Sequence, residues 1–123
     1  MNPSKLQDMS VAELVGHFVS IALAQNRAMR QDDNAKFNRL YWQMEATEEE
    51  RKARDGDQRR ALLPLFSHPD AQVRLKAAIA TLAVAPGAAR RTLQIISDRQ
   101  EYPQAADARG MLRAVDERTY IPT

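Results

Sequence analysis

A stretch of the sequence repeats with its apolar positions displaced by 33 residues: Leu75, Ala78, Ile79 and Leu82 fall onto Ala108, Met111, Leu112 and Val115, and Lys76 falls onto Arg109. The same shift carries Leu62 and Leu63 onto Ile95 and Ile96, so a pair of segments recurs rather than a single stripe. Periods of this length belong to helical hairpins that cannot bury their apolar faces alone and must stack on neighbours. The rest of the chain therefore has to supply helices of matching period.

It does so with clear punctuation. Ser10-Val11-Ala12-Glu13 reads as a capping box, and Val11, Leu14, Val15, Phe18, Ala22 and Met29 follow on one face, predicting a first helix to about Arg30. Asp32 and Asp33 offer N-caps for a second helix to about Arg54. That helix carries two apolar stripes, Phe37, Leu40, Tyr41 and Met44 on one side and Ala35, Trp42, Ala46 and Ala53 on the other. Two stripes imply two packing partners, so Trp42 is expected to pack against a neighbouring pair rather than stand out as a binding anchor. Asp55-Gly56-Asp57 ends the helix, with Gly56 suited to a left-handed cap. Further helices are predicted from Gln58 to about Phe66, from Pro69 to about Val84, from about Ala88 to Arg99, and from Tyr102-Pro103 to about Asp116, leaving 117–123 as a tail.

The run from Leu62 to Ala78 resembles one HEAT repeat: Pro64, Asp70, the Val73-Arg74 pair and the small run Ala77-Ala78 stand where such repeats bend their first helix and mark their second. The second pair, Pro86 to Asp116, has Ala106-Asp107 in place of Val73-Arg74 and belongs by periodicity alone. Lys36-Phe37-Asn38-Arg39-Leu40 and Gly56-Asp57-Gln58-Arg59-Arg60-Ala61-Leu62-Leu63-Pro64-Leu65 are similar to a family of small bacterial HEAT-like proteins of uncharacterised function. The resemblance implies an all-α fold, a right-handed stack of about three antiparallel helix pairs and about six helices, at about 10–54, 57–84 and 86–116 in one domain. It makes Pro64, Asp70, Val73 and Arg74 structural repeat residues, with the two charged ones, Asp70 and Arg74, of the kind that bridges neighbouring repeats.

Composition narrows the function classes. Cysteine is absent, which removes disulfides, thiolate nucleophiles and sulfur-ligated metal. A chain of this length buries roughly two thirds of its unfolded surface without such staples. The start, Met1 to Asp8, is polar, and Glu13, His17 and Gln25 interrupt the first apolar helix, so neither a signal peptide nor a membrane span is expected and the chain reads as cytoplasmic. The pI of about 9.2 suggests a basic protein. The 18 basic against 16 acidic residues leave a net charge of only +2, so any electrostatic recognition has to rest on local clustering.

No metal, cofactor or catalytic constellation is expected. His17 and His68 lack a helix-spaced partner, and each reads as structural or solvated. Asp55 and Asp57 flank Gly56, where capping explains them without acid and base chemistry; Asp70 and Arg74, four apart at a helix start, are placed to pair. Glu48 to Glu50 followed by Arg51, Lys52, Arg54, Arg59 and Arg60 read as a solvated helix laced with ion pairs, or else as a docking patch.

If the second helix of each pair lines a concave surface, as the HEAT resemblance implies, Arg39, Gln43, Gln72, Lys76, Arg109 and Arg113 give that face a basic lining. The leading expectation is a non-enzymatic protein-binding module, an adaptor or immunity-type protein, meeting an acidic partner there. Nucleic-acid backbone binding is the alternative, disfavoured by the small net charge. A base-excising enzyme on a similar array comes second, disfavoured by a short cradle and the lack of a catalytic acid.

Overall fold

The computed structural model describes residues 6–123. Among them run five α-helices, one 3-10 segment and no strand: α1 (Val11–Arg30), α2 (Asn34–Ala53), the 3-10 segment Gln58–Ser67, α3 (Ala71–Ala80), α4 (Pro86–Asp98) and α5 (Gln104–Asp116). They fall into two compact units, one ending at Ala61 and the other running Leu62–Thr123. Among the described residues no helix is long and apolar enough to cross a membrane.

The first unit is the hairpin of α1 and α2. Ser10 Oγ accepts from the Glu13 amide and Glu13 Oε1 accepts from the Ser10 amide, both at 3.0 Å, closing the capping box at the expected place. Hydrogen bonds from the Ser10 amide and the Ser10 side chain hold the Glu13 carboxyl below the usual carboxylate range. Asp33 Oδ1 accepts from the Lys36 amide at 3.0 Å and starts α2, after Asp32 has turned the chain through a left-handed φ of 53°. α1 buries Leu14, Phe18, Ile21, Ala22, Gln25 and Ala28, a continuous stripe.

α2 answers with very little apolar surface: it buries only Met44, Thr47 and Arg51. Arg51 continues the stripe of Phe37, Leu40 and Met44 two turns further, past Thr47, and its side chain is wholly buried. Its guanidinium stacks 5.4 Å from the centre of the Phe18 ring, donates through Nη2 to the Leu14 carbonyl at 2.9 Å, and pairs through Nη1 with Glu48. One turn on, Arg54 donates to the Leu6 carbonyl at 2.9 Å while held by Glu50. Arginine forks thus tie the C-terminal half of α2 to the start of α1, where apolar contacts are few. Burial pushes the Glu48 carboxyl up to about 7 in spite of the cation beside it, and Glu48 Oε2 is buried with no hydrogen-bond partner.

The segment expected as a third α-helix is wound as 3-10. Pro64 lies inside it, and a proline there supplies no amide to the α ladder and crowds the carbonyl four residues back, which favours the tighter turn. The tighter turn also shifts the repeat: Leu62 is buried whereas its counterpart Ile95 is 46% exposed and Ile96 takes the buried place. The fourth predicted helix is shorter at both ends. Asp70 Oδ1 accepts from the Gln72 and Val73 amides, so α3 begins at Ala71 rather than Pro69. It stops at Ala80 rather than Val84, because Pro86 excludes Ala85 from helical geometry and the chain turns through Thr81 to reach it. Pro86 then opens α4 two residues earlier than expected.

α4 packs against both α3 and α5, and α5 also touches α3. Leu75, Ala78, Leu82, Ala89, Leu93, Ile96 and Ala108 form the core of this second unit, with Phe66, Ile79, Met111, Leu112 and Val115 against it. Arg74 is the polar tie. It donates to the carbonyls of His68 and Pro69 and reaches Glu101 in a two-pronged bridge of 2.7 Å bonds, and the charge of the capping Asp70 also favours its cation. The loop before α3 is thereby fixed to the residue that leads into α5.

Two outcomes follow. Arg74→Ala should cost about 2–3 kcal/mol, since it strips a half-buried carboxylate and two carbonyls of a charged donor, whereas Arg90→Ala, breaking an exposed bridge to Asp116, should cost less than about 1 kcal/mol; denaturant titration separates them, and equal losses would contradict the clamp. Because the folded-state pKa of Glu48 is raised, the native state keeps a proton that the unfolded chain has released, so stability should be greatest below about pH 4.5 as far as this group is concerned and decline as pH rises toward 7. Glu48→Gln should flatten that decline in melts run across the same window.

Candidate functional site

The side of α2 opposite its buried stripe is open. Trp42 projects there with 68% of its surface exposed, the second-highest exposure among the large apolar side chains described. The expectation that it packs in a second interface is overturned: Ala35 and Ala53 of its stripe are exposed as well, and Ala46 is half-buried. Alanines on a helix surface lose little when solvated, so the stripe does not demand a partner helix, and only the indole is left as a large apolar group. The Tyr41 ring meets Trp42 edge-on, centres 5.1 Å apart and planes at 85°, which steadies the indole in its outward position. The exposed face around Trp42 is completed one turn back by Asn38 and Arg39 and one turn on by Glu45, with Glu49 beyond.

The six side chains expected to line one basic face divide between the units, Arg39 and Gln43 in the first and Gln72, Lys76, Arg109 and Arg113 in the second. Two are corrected. Gln72 is buried, and its side-chain oxygen accepts from Gln104 Nε2 at 3.0 Å, an amide pair that joins the starts of α3 and α5. Arg109 is spent within its own unit: Nε donates to Ser97 Oγ at 2.8 Å, Nη2 to the Ser97 carbonyl at 3.0 Å and Nη1 to the Tyr102 hydroxyl, with the guanidinium 5.2 Å from the centre of the Tyr102 ring. It clamps the turn between α4 and α5. Lys76 and Gln43 are half-buried, and Arg39 and Arg113 are exposed. Pro64 lies in the 3-10 segment, Asp70 caps α3, Val73 is buried and Arg74 forms the clamp to Glu101.

Several other titratable groups are engaged in local structure. Asp57 takes two bonds from Arg59, 2.8 and 2.6 Å, which lower its carboxyl, and Gly56 before it adopts a φ of 77°. Asp55 has no part in that pair, and its backbone carbonyl accepts from Gln58 Nε2 at 2.7 Å. His68 Nδ1 accepts from the Asp70 amide at 3.0 Å, and His17 is half-buried on α1 with its imidazole lowered chiefly by burial. Among the described residues no three of His, Cys, Asp and Glu gather where a metal ion would fit. Glu48 has a raised carboxyl, the property of many general acids, but its ionised partner Arg51 is sealed inside the hairpin, where a substrate has no access.

The sequence held signals for the places of Arg51 and Trp42. Arg51 extends the Phe37, Leu40, Met44 stripe through Thr47, and the polar neighbours of Trp42 at three residues to either side, Arg39 and Glu45, mark an outward face.

No curated protein matches the chain. A solved structure does: the crystal structure of the protein RPA1889 from Rhodopseudomonas palustris CGA009 is 44% identical in sequence and superposes with a TM-score of 0.93, over 96% of this chain and 98% of that one. Residues 12–116, which span α1 to α5, match the family described as a domain of unknown function, DUF2019, and the chain belongs to that family.

Proposed function

We propose that this chain is a non-enzymatic protein-binding module, and that its docking surface is the outer face of α2 rather than a basic concave groove. One observation carries the reading: a lone indole, 68% exposed, held outward by Tyr41 on a helix whose apolar stripe is already committed to the other side. Tryptophan in such a setting is the residue type that most often anchors a protein interface, because it contributes a large rigid area at small entropic cost. Adaptor and immunity-type roles are the cellular forms that such binding takes.

The placement of charge alters the expected partner. Arg39 is the one member of the expected basic set on this face, and Glu45 and Glu49 flank it. A purely acidic surface would meet two like charges there, so the fitting partner surface carries both signs. Nucleic-acid backbone binding draws less support, because phosphates would face the same two carboxylates and Arg109 is occupied in its clamp. A hydrolytic role on this architecture draws less again, since Glu48 is the one strongly raised acid described and lies inside the hairpin.

Tagged full-length chain should retain a stoichiometric protein from nuclease-treated lysate, and Trp42→Ala should lose it while keeping its helical circular dichroism and its stability within about 0.5 kcal/mol. Arg109→Ala should retain it. Equal retention by the Trp42 variant would sink the reading, as would retention of nucleic acid alone once nuclease is omitted.

A further inference from the structure

We propose that the occupant of the α2 face is a second copy of this chain, packed antiparallel about a twofold axis through Trp42. The inference rests on the docking reading of α2 above and names its partner.

The argument comes from the order of residues along the face. A twofold axis through residue 42 sets each residue before Trp42 against the one equally far after it on the partner, and every contact occurs twice. Arg39 then faces the partner's Glu45, three residues to either side of the axis. Asn38 faces the partner's Ala46, and Ala35 faces the partner's Glu49, at four and seven residues from it. These are the positions that a helix presents on one side. Arg39, Glu45 and Glu49 are all exposed, and among the described residues none of them is held in an ion pair.

The alternatives fit less well. A parallel pairing sets Arg39 on Arg39 and Glu45 on Glu45, like on like. An acidic or phosphate-bearing partner satisfies Arg39 and is repelled by both glutamates. The antiparallel copy alone matches a sign to its opposite at each charged position nearest the axis. It also brings Glu49 to the first turn of the partner's α2, where a helix N-terminus favours an anion. Small side chains at Ala35 and Ala46 let the two helices approach closely, and the indoles meet at the centre as the anchor.

The test uses the full-length chain and its single tryptophan. Sedimentation of the wild type over a concentration series should show a monomer–dimer equilibrium, with Trp42 emission moving to the blue as dimer forms. Trp42→Ala should weaken the dimer by more than about tenfold. Arg39→Glu alone and Glu45→Arg alone should each be monomeric, because each sets like charges opposite one another. An equimolar mixture of those two variants should dimerise again, and so should the double variant Arg39→Glu/Glu45→Arg. Since all three side chains are exposed, unchanged helical circular dichroism serves as the folding control.

A wild type that stays monomeric overturns the inference and leaves the docking reading to its own test, in which a different protein is lost from the Trp42→Ala chain. A dimer with unshifted emission, or one indifferent to the charge reversals, also overturns it.

Discussion

The first unit depends on one buried cation. α1 presents a long apolar stripe, but α2 brings Met44 and little else to meet it, and the closing half of the hairpin is held by Arg51 lying on Phe18 and bonded to the Leu14 carbonyl. Burying a guanidinium is unfavourable unless its donors are matched, and Glu48 matches it while giving up most of its own water. The arrangement specifies register more strongly than apolar contact can: a methionine tolerates a slide along α1, whereas a fork aimed at one carbonyl does not. With its inner side committed in this way, α2 keeps an outer side that owes nothing to the fold. Trp42 can stay exposed there without weakening the hairpin.

The second unit reaches the same end by other means. Its helices meet through a continuous aliphatic core, and two arginines that stand on helices, Arg74 and Arg109, reach out to hold the connections. Arg74 joins the entrance of α3 to Glu101, and Arg109 closes the turn between α4 and α5. Each bonds backbone carbonyls at a connection, those of His68 and Pro69 for Arg74 and that of Ser97 for Arg109. Charge is therefore used in the two units where hydrophobic packing runs out, and this explains how a net charge of +2 coexists with so many engaged arginines.

Helix order was legible from the residues because the caps are local. Ser10 with Glu13, Asp33 and Asp70 each bond an amide within three residues, so the sequence near them is sufficient. The winding at Pro64 and the early end at Ala80 were not legible, since each depends on how a proline's restrictions spread to residues several positions away. The candidate site was harder. A cation on an apolar stripe and an indole on an alanine stripe look alike in a periodicity count, yet Arg51 is inside and Trp42 outside. What separates them is the partner across the hairpin, Phe18 and an accepting carbonyl for one and nothing for the other. Arg109 was mistaken for a surface base for the same reason: Ser97 and Tyr102 come to it only through the turn.

The two copies of the repeat bear on engineering with this sequence. Leu62 and Ile95 are equivalent by count but opposite in exposure, and Lys76 and Arg109 are equivalent by count but differ in employment. A consensus averaged over the copies would combine an inward residue with an outward one and put a lysine where the Arg109 fork clamps the turn. Extended arrays are therefore better grown from the residues around Leu75 and Ala108, where both copies are buried alike, leaving the 3-10 segment and the α4–α5 turn as fixed ends.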